Sequence, residues 1–384
     1  MSQTNKPAGI KEIAEALGIS IGTVDRALNN RGRISSTTRA KVLEMASRLG
    51  YRPNLTARFL SSRRELRIAV CLPREVASFF DLVRAGIETA AAPFETAGVR
   101  LVPYFYPRLG QRETDAVRRA LDAGADGLIL TPGQPEKLKP LLADAKQRNI
   151  PAVCVTTDAP DTDRLATVSV DPVTSGALAG ELMGRFLHGE GHVLLVTGQL
   201  DTMDHAGKVQ GFRQAVDRIW PRLRIATPVE AHDDEAEAYA KCRKVLAQQR
   251  NVNGLYVSTA NSIPVLTAVQ DLGLGDRLTI MTTDLFPALV PFIESGRVAA
   301  TLYQRPRRQG QLAFHTLYRY LVEGVLPTTH ERLAPHLVVR TNLQLFLDRE
   351  RAGVGEPAGD AGGDAEPATP ASAVRRSSTV NART

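Results

Sequence analysis

Ile10, Ile13, Ala14 and Leu17 recur at helical spacing and predict a short helix with one buried stripe. Gly18 ends it, since glycine takes the positive φ of a tight turn without steric cost. Ser20 can cap a second helix, in which Val24 and Leu28 face the first from positions four apart. Ser35-Ser36 caps a third helix, with Val42, Leu43, Ala46 and Leu49 apolar and Gly50 as its stop. This spacing predicts a helix-turn-helix, whose second helix enters the DNA major groove. Tyr51-Arg52-Pro53-Asn54 is a break. Asn54–Ser62 has helical potential but too little apolar surface to fold alone.

From Leu66 the period changes. Apolar runs at 66–72, 99–105, 127–130, 152–156, 166–170, 192–197, 223–229, 254–257 and 278–283 read as strands. Between them lie amphipathic stretches at about 79–97, 111–123, 135–148, 172–188, 204–218, 234–249 and 261–272. Strand-helix alternation implies right-handed crossovers and parallel sheets covered on both faces. There are too many units for one compact sheet, so two lobes are expected. Ligands bind such folds beyond the C-terminal ends of the strands. Residues 351–384 contain no aromatic residue, Leu, Ile or Met and read as a disordered tail. The expected fold class is an all-α DNA-binding head, an α/β sensor with parallel sheets and that tail. The expected boundaries are 8–53 for the head, 54–65 for a hinge, 66–350 for the sensor and 351–384 for the tail.

Charge sharpens the division. The chain has a net charge of +7, yet residues 1–67 carry 13 Lys/Arg against 5 Asp/Glu and the remainder 35 against 36. The positive charge therefore sits on the helical head, as phosphate binding requires. Cys71, Cys154 and Cys242 are odd in number and far apart, which fits a reducing compartment better than a disulfide or zinc framework. No apolar stretch reaches membrane-spanning length, and the first residues lack the apolar core of a signal peptide, so a cytoplasmic protein with no membrane partner is expected.

Several enzyme and metal motifs are absent. His188 and His192 flank Gly189 and Gly191, a turn rather than a helix face, and Asp158, Asp161 and Asp163 lack the glycine and terminal glutamate of a calcium loop. There is no glycine-rich dinucleotide fingerprint after a strand, no P-loop and no G-x-S-x-G elbow. No cofactor, metal or catalytic residue is expected.

The residues of the head carry a resemblance. Ile10-Lys11-Glu12-Ile13-Ala14, Gly18-Ile19-Ser20-x-x-Thr23-Val24-x-Arg26-x-Leu28-Asn29, Thr38-Arg39-x-Lys41-Val42 and Leu49-Gly50-Tyr51-x-Pro53-Asn54 resemble the lactose-repressor (LacI/GalR) family of transcription regulators. Phe79-Phe80, Gly211-Phe212, Asp284 and Gly296-x-Val298-Ala299-Ala300-Thr301-x-x-Gln304-x-Pro306 resemble the same family's periplasmic-binding-protein-like, sugar-binding sensor. The resemblance spans about residues 9–348. It implies a homodimer that binds a pseudo-palindromic operator in double-stranded DNA. It also implies sensor lobes, each discontinuous in sequence and joined by three crossovers, that close around a small carbohydrate-like effector.

Residue by residue, Arg26 matches the family's base-reading arginine, and a guanidinium bonding guanine O6 and N7 gives about 1–3 kcal/mol of discrimination. A phosphate contact or a surface ion pair is its bland alternative. Ile21 and Gly22 stand where relatives usually carry operator-choosing side chains: Gly22 offers nothing to a base edge, and Ile21 only apolar contact. Asp25 replaces a commonly small residue; it either accepts from a cytosine amine or orients Arg26. Thr23, Asn29, Ser36 and Thr38 can fix register on phosphates, or act as caps and turn bonds. Ile10, Lys11 and Asn54 complete the expected DNA set. Ala57 and Leu60 match the hinge helix, where a leucine from each subunit wedges into the minor groove and bends the DNA by about 20–90°.

In the sensor the resemblance assigns Asp284, Gln304 and Asn261 to hydroxyl recognition. Phe79 and Phe80 would offer apolar faces to a ring, and His232 falls where an aromatic residue is frequent. Lys208 replaces an arginine and cannot make its two-pronged contact. Thr156 and Thr157 replace an acidic-basic pair. These departures imply a ligand other than the common hexoses and pentoses. The expected function is a ligand-responsive, sequence-specific regulator, read as a repressor. The alternatives are a solute-binding protein, or an α/β enzyme with a fused DNA-binding head.

Overall fold

The runs GLIL (127–130), AVCV (152–155) and GLYV (254–257) are apolar at every position because each strand is buried on both faces. The computed structural model describes residues 9–28, 34–49 and 65–352. They fall into two units, a helical head and a larger α/β sensor.

The head contains α1 (Ile10–Leu17), α2 (Ile21–Leu28) and α3 (Ser36–Arg48). Its core is Ile13, Ala14, Val24, Ala27, Val42 and Ala46, with Ile10, Leu17, Leu28 and Met45 packed around it. Gly18 adopts φ 62°, as the turn demands. Ser20 Oγ accepts from Thr23 N at 3.2 Å. At α3 it is Ser35 that caps, accepting from Thr38 N at 3.1 Å. Leu43 and Leu49 are exposed, by 48% and 37%. The inward face of α3 is instead Val42, Met45 and Ala46 at helical spacing. The expected stop Gly50 and the hinge at 54–64 lie outside the described residues, as does the tail beyond Ala352.

The first sensor sheet takes β1 (Leu66–Cys71), β2 (Val99–Pro103), β3 (Gly127–Leu130), β4 (Ala152–Val155) and β5 (Ala166–Val170), with helices α4 (Ala77–Ala91), α5 (Glu113–Asp122) and α6 (Pro135–Gln147) between them. The chain then enters the second lobe through α7 (Pro172–Phe186), β6 (Glu190–Thr197), α8 (Met203–Ile219), β7 (Arg222–Ile225) and β8 (Val229–Glu230). That lobe continues with α9 (Glu235–Gln248), β9 (Gly254–Val257), α10 (Ile263–Asp271), β10 (Thr279–Thr283), α11 (Val290–Glu294) and β11 (Ala300–Tyr303). Next, α12 (Pro306–Tyr318) returns to the first lobe, where β12 (His330–Leu333) adds an edge strand. Finally β13 (His336–Val338) and α13 (Leu343–Ala352) rejoin the second. The chain thus passes between the lobes three times.

The strand orders are β12-β5-β4-β3-β1-β2 and β13-β11-β10-β9-β6-β7, with β8 beside the end of β6. The first sheet is parallel throughout, whereas β13 joins β11 antiparallel. The stretch 223–229 is two strands rather than one. Pro228 has no N–H to give the ladder, so pairing to β6 lapses between Val193 and Val196. Helix 79–97 is likewise divided: α4 stops at Ala91, and a 3-10 turn containing Pro93 follows. Strands β11 to β13 and helices α12 and α13 extend the alternation beyond the sequence expectation.

Both long crossovers end on a proline that opens a helix, Pro172 after Asp171 and Pro306 after Arg305. Proline suits a first helical turn because the missing N–H would have no partner there. Each of these helices meets its neighbour through reciprocal glycines. A Cβ at Gly176 would lie 1.9 Å from the Lys208 carbonyl oxygen, and one at Gly211 would lie 1.9 Å from that of Val173. In the first lobe Gly86 meets Arg307 O in the same way, and Gly310 meets Val83 O. Backbones in such close contact fix where Lys208 and Gln304 stand.

Candidate functional site

On α2 the residues Ile21, Gly22 and Arg26 are exposed and Asp25 is half-buried. Positions i, i+1, i+4 and i+5 share one helical face, so these four form a single strip opposite buried Val24 and Ala27. Ile21 is 54% exposed, an apolar side chain held outward. Thr23 and Thr38 both bond back to their capping serines, through Ser20 Oγ at 2.9 Å and Ser35 Oγ at 2.7 Å. Ser36 is exposed at the start of α3, and Lys11 pairs loosely with Glu15 at 3.9 Å on exposed α1. Asn29, Asn54, Ala57 and Leu60 lie outside the described residues.

In the sensor, a narrow cleft opens where the C-terminal ends of the strands in the two sheets converge. The first lobe contributes Val76, Phe79 and Phe80 after β1, Leu109 after β2, and Thr156 and Thr157 after β4. The second contributes Thr202, Asp204, His205 and Lys208 after β6, Asp233 after β8, Thr259 and Ala260 after β9, and Asp284 after β10; Gln304 stands in the crossover after β11. Backbone strain concentrates here. Val76, Thr156, His232, Asp233, Asp284 and Arg305 all have positive φ, from 48° to 71°. Such residues persist only where the surrounding structure holds them, and they cluster at ligand sites.

Asp284 is 2% exposed. Its Oδ1 accepts from Gln304 N at 3.0 Å and its Oδ2 from Gln304 Nε2 at 2.7 Å. Gln309 Nε2 donates to Gln304 O at 2.7 Å and anchors the crossover. Burial pushes the Asp284 carboxyl up to about 6, against the opposing pull of Lys208 and the Gln304 donors. Lys208, 1% exposed, donates to Asp204 Oδ2 at 2.6 Å from one turn further along α8. Asp204 Oδ1 is buried without a hydrogen-bond partner, as is Thr157 Oγ1. Asp233 takes the Thr259 hydroxyl on Oδ1 and lies 3.8 Å from His205 Nε2. Phe79 and Phe80 sit edge to face at 5.1 Å, both buried.

Two expected residues stand apart from the cavity wall. The His232 ring, 48% exposed, pairs with Glu237 at 2.8 Å. Asn261 is buried next to Thr259 and Ala260, with its Nδ2 unpartnered. Asp158 and Arg164, just beyond Thr156 and Thr157, pair with each other away from the cleft wall. Asp158 grips Arg164, Thr167 and His330, and although burial raises its pKa, these partners outweigh burial and hold the carboxyl below its ordinary range.

The sequence reading missed Val76, Leu109, Thr202, Asp204, His205, Asp233, Thr259 and Ala260. Asp204 had a signal, since Asp and Lys four apart on one helix pair naturally.

The rim ties the lobes together. Arg108 Nη2 bonds Asp234 Oδ2 at 2.7 Å, and Gln199 Nε2 donates to Leu109 O at 3.4 Å. Arg108 also lies 3.4 Å from Glu75, whose carboxyl burial pushes up to about 8. Glu113 shapes the loop that carries Arg108. Its carboxylate, 2% exposed, accepts from the backbone N–H groups of Gly110, Gly133 and Gln134 at 2.7–3.1 Å.

Among the described residues no group of three or more His, Cys, Asp or Glu side chains could hold a metal ion, and no helix is long and apolar enough to cross a membrane. The three cysteines are buried, with thiols pushed up to about 12 by burial.

Residues 68–324 match the periplasmic binding protein domain family, and residues 9–54 match the bacterial regulatory proteins of the lacI family. Catabolite control protein A of Priestia megaterium is 25% identical over 308 residues, covering 76% of this chain and 90% of the relative. The HTH-type transcriptional regulator DegA of Bacillus subtilis is 27% identical over 209 residues, 54% of this chain and 60% of the relative. Among solved structures, a glucose-galactose binding protein from Geobacillus stearothermophilus superposes with a TM-score of 0.67 at 26% identity, over 73% of this chain and 99% of that one. A solute binding protein from Bacillus halodurans with bound myo-inositol has a TM-score of 0.68 at 16% identity, over 74% and 98%, a likeness of fold. With the α2 strip on one unit and the cleft on the other, the chain belongs to the periplasmic binding protein domain family and carries a lacI-family DNA-binding head, the make-up of a DNA-binding transcription regulator.

Proposed function

We propose that this protein is a cytoplasmic homodimeric repressor whose operator affinity is set by a small polyhydroxylated effector in the sensor cleft. The observation that carries the reading is the Asp284–Gln304 pair. A buried carboxylate and amide stand on a strained turn where the two lobes meet, and together they can accept from and donate to ring hydroxyls. Phe79 and Phe80 supply the apolar face that such a ring needs. Asp284, Gln304, Lys208, Thr156 and Thr157 are the proposed effector contacts; Asn261 and His232 act from behind the wall and from the rim. On the head, Arg26 reads the operator, Ile21 meets a thymine methyl, and Asp25 orients Arg26.

An effector that binds one lobe arrangement better shifts the population of DNA-competent dimers. Such coupling is typically about 1–3 kcal/mol and is reciprocal. The lacI-family match over residues 9–54 and the basic head support a regulator over a transport receptor. The experiment has two stages. Selection from random DNA with the full chain should yield a two-fold symmetric site. Thermal-shift screening of sugars and polyols, with and without that DNA, should find a ligand that raises the melting temperature and changes operator affinity. If no selected site has two-fold symmetry, or every stabilising ligand leaves DNA affinity unchanged, the proposal fails.

A further inference from the structure

The cleft is acidic beyond what hydroxyl recognition needs. Asp204, Asp233 and Asp284 all line it, and among the described residues Lys208 is the one lysine or arginine in the wall. That ammonium is already committed to Asp204 at 2.6 Å. His205 stands beside Asp233, its Nε2 3.8 Å from the carboxylate, and its Nδ1 lies 3.0 Å from Gln199 N and 3.3 Å from Gln199 O. Arg108 at the rim is spent on Asp234 at 2.7 Å.

We infer that the effector is a polyhydroxylated amine, its ammonium held between Asp204 and Asp233 and its hydroxyls met by Asp284, Gln304 and the cleft threonines. This rests on the reading of the cleft as the effector site and narrows its ligand class. The ammonium supplies the donor that buried Asp204 Oδ1 lacks, and it offsets the excess negative charge of the wall. A hydroxyl on the ligand would serve a second orphan: Thr157, 4% exposed, lines the cleft and has a buried Oγ1 without a hydrogen-bond partner. Anionic sugars, whether phosphates or uronic acids, would meet three carboxylates with no uncommitted cation in the wall.

The test is titration calorimetry of the full chain at pH 7.5 against matched sets. D-glucosamine, D-galactosamine and an aminocyclitol would each be compared with the neutral parent and with the corresponding uronate or phosphate. At least one amine should bind about tenfold tighter than its neutral parent, with the anionic members weakest. Asp233→Asn should abolish the preference while retaining the Thr259 contact, and Asp204→Asn gives a second, independent removal of charge. If a neutral parent binds as tightly as its amine, the amine assignment is overturned and the effector-cleft reading survives. Tightest binding of a phosphate or uronate overturns it equally. If no member of any set binds, both the assignment and the carbohydrate-like effector are overturned.

Discussion

Asp284 shows how a single side chain sets both binding and pH response. In the folded protein its carboxyl titrates near 6, against an ordinary value of 3.8. Between those values the native state holds a proton that the unfolded chain has released, so this residue's contribution to stability falls as pH rises from about 4 to about 6. Asp284→Asn should therefore flatten the thermal melting profile across that window and weaken effector binding at least about tenfold, checked by scanning fluorimetry and calorimetry. On the head, Arg26→Ala should lower affinity for the selected operator by about 1–3 kcal/mol relative to a scrambled site. Arg26→Lys should recover phosphate attraction without recovering the preference, because a point charge cannot bond two base acceptors in one plane. Equal losses on both DNAs would make Arg26 a phosphate contact instead. Asp284, Gln304 and Arg26 were legible in the sequence because each sits in a motif. Asp233 was not, since its entry into the cleft depends on a positive-φ turn that no spacing announces. Leu43 misled for a similar reason: an apolar letter at helical spacing does not say which of two adjacent stripes faces inward.

At the scale of elements, the reciprocal glycines of α7 and α8 make the sharpest prediction. Gly211→Ala would place a methyl carbon against the Val173 carbonyl, so the helices must part. The expected loss is about 1–3 kcal/mol in urea unfolding. Effector affinity should also fall, since α8 carries both Asp204 and Lys208. An unchanged melt would mean that the crossing has slack. The order of strands and helices was readable because buried parallel strands are apolar throughout and their helices are not. Strand β13 escaped because its short, half-polar run His336-Leu337-Val338 reads as loop until β11 offers it an antiparallel edge. The break at Pro228 was present in the sequence as a proline, but only the long strand β6 shows that pairing continues on either side.

At the scale of the whole sensor, the lobes are linked at the rim by Arg108–Asp234 as well as by the crossovers. Arg108→Ala should weaken effector binding several-fold while leaving the melting temperature of the ligand-free protein nearly unchanged, because a half-exposed ion pair adds little stability. Glu75→Gln tests the electrostatics of the same rim. The native carboxyl near 8, against an ordinary 4.5, makes the wild-type sensor lose stability as pH rises through that interval, and the variant should lose less. A parallel fall in both proteins would show that Glu75 does not carry the effect.

The threefold passage of the chain between lobes also governs how the protein is born. Strands β1 to β5 leave the ribosome early, but their sheet lacks its edge strand β12 until residue 333 has been made, and α4 lacks α12 until residue 318. Domains fold as units during synthesis. Here neither lobe is a unit the ribosome can release before the other is nearly complete. The nascent chain must therefore carry an open edge at β5 from residue 170 until residue 333 is made, and unpaired edges invite aggregation. The head, by contrast, is complete within the first fifty or so residues, so a nascent regulator acquires its DNA-facing helices long before it has any means of being regulated.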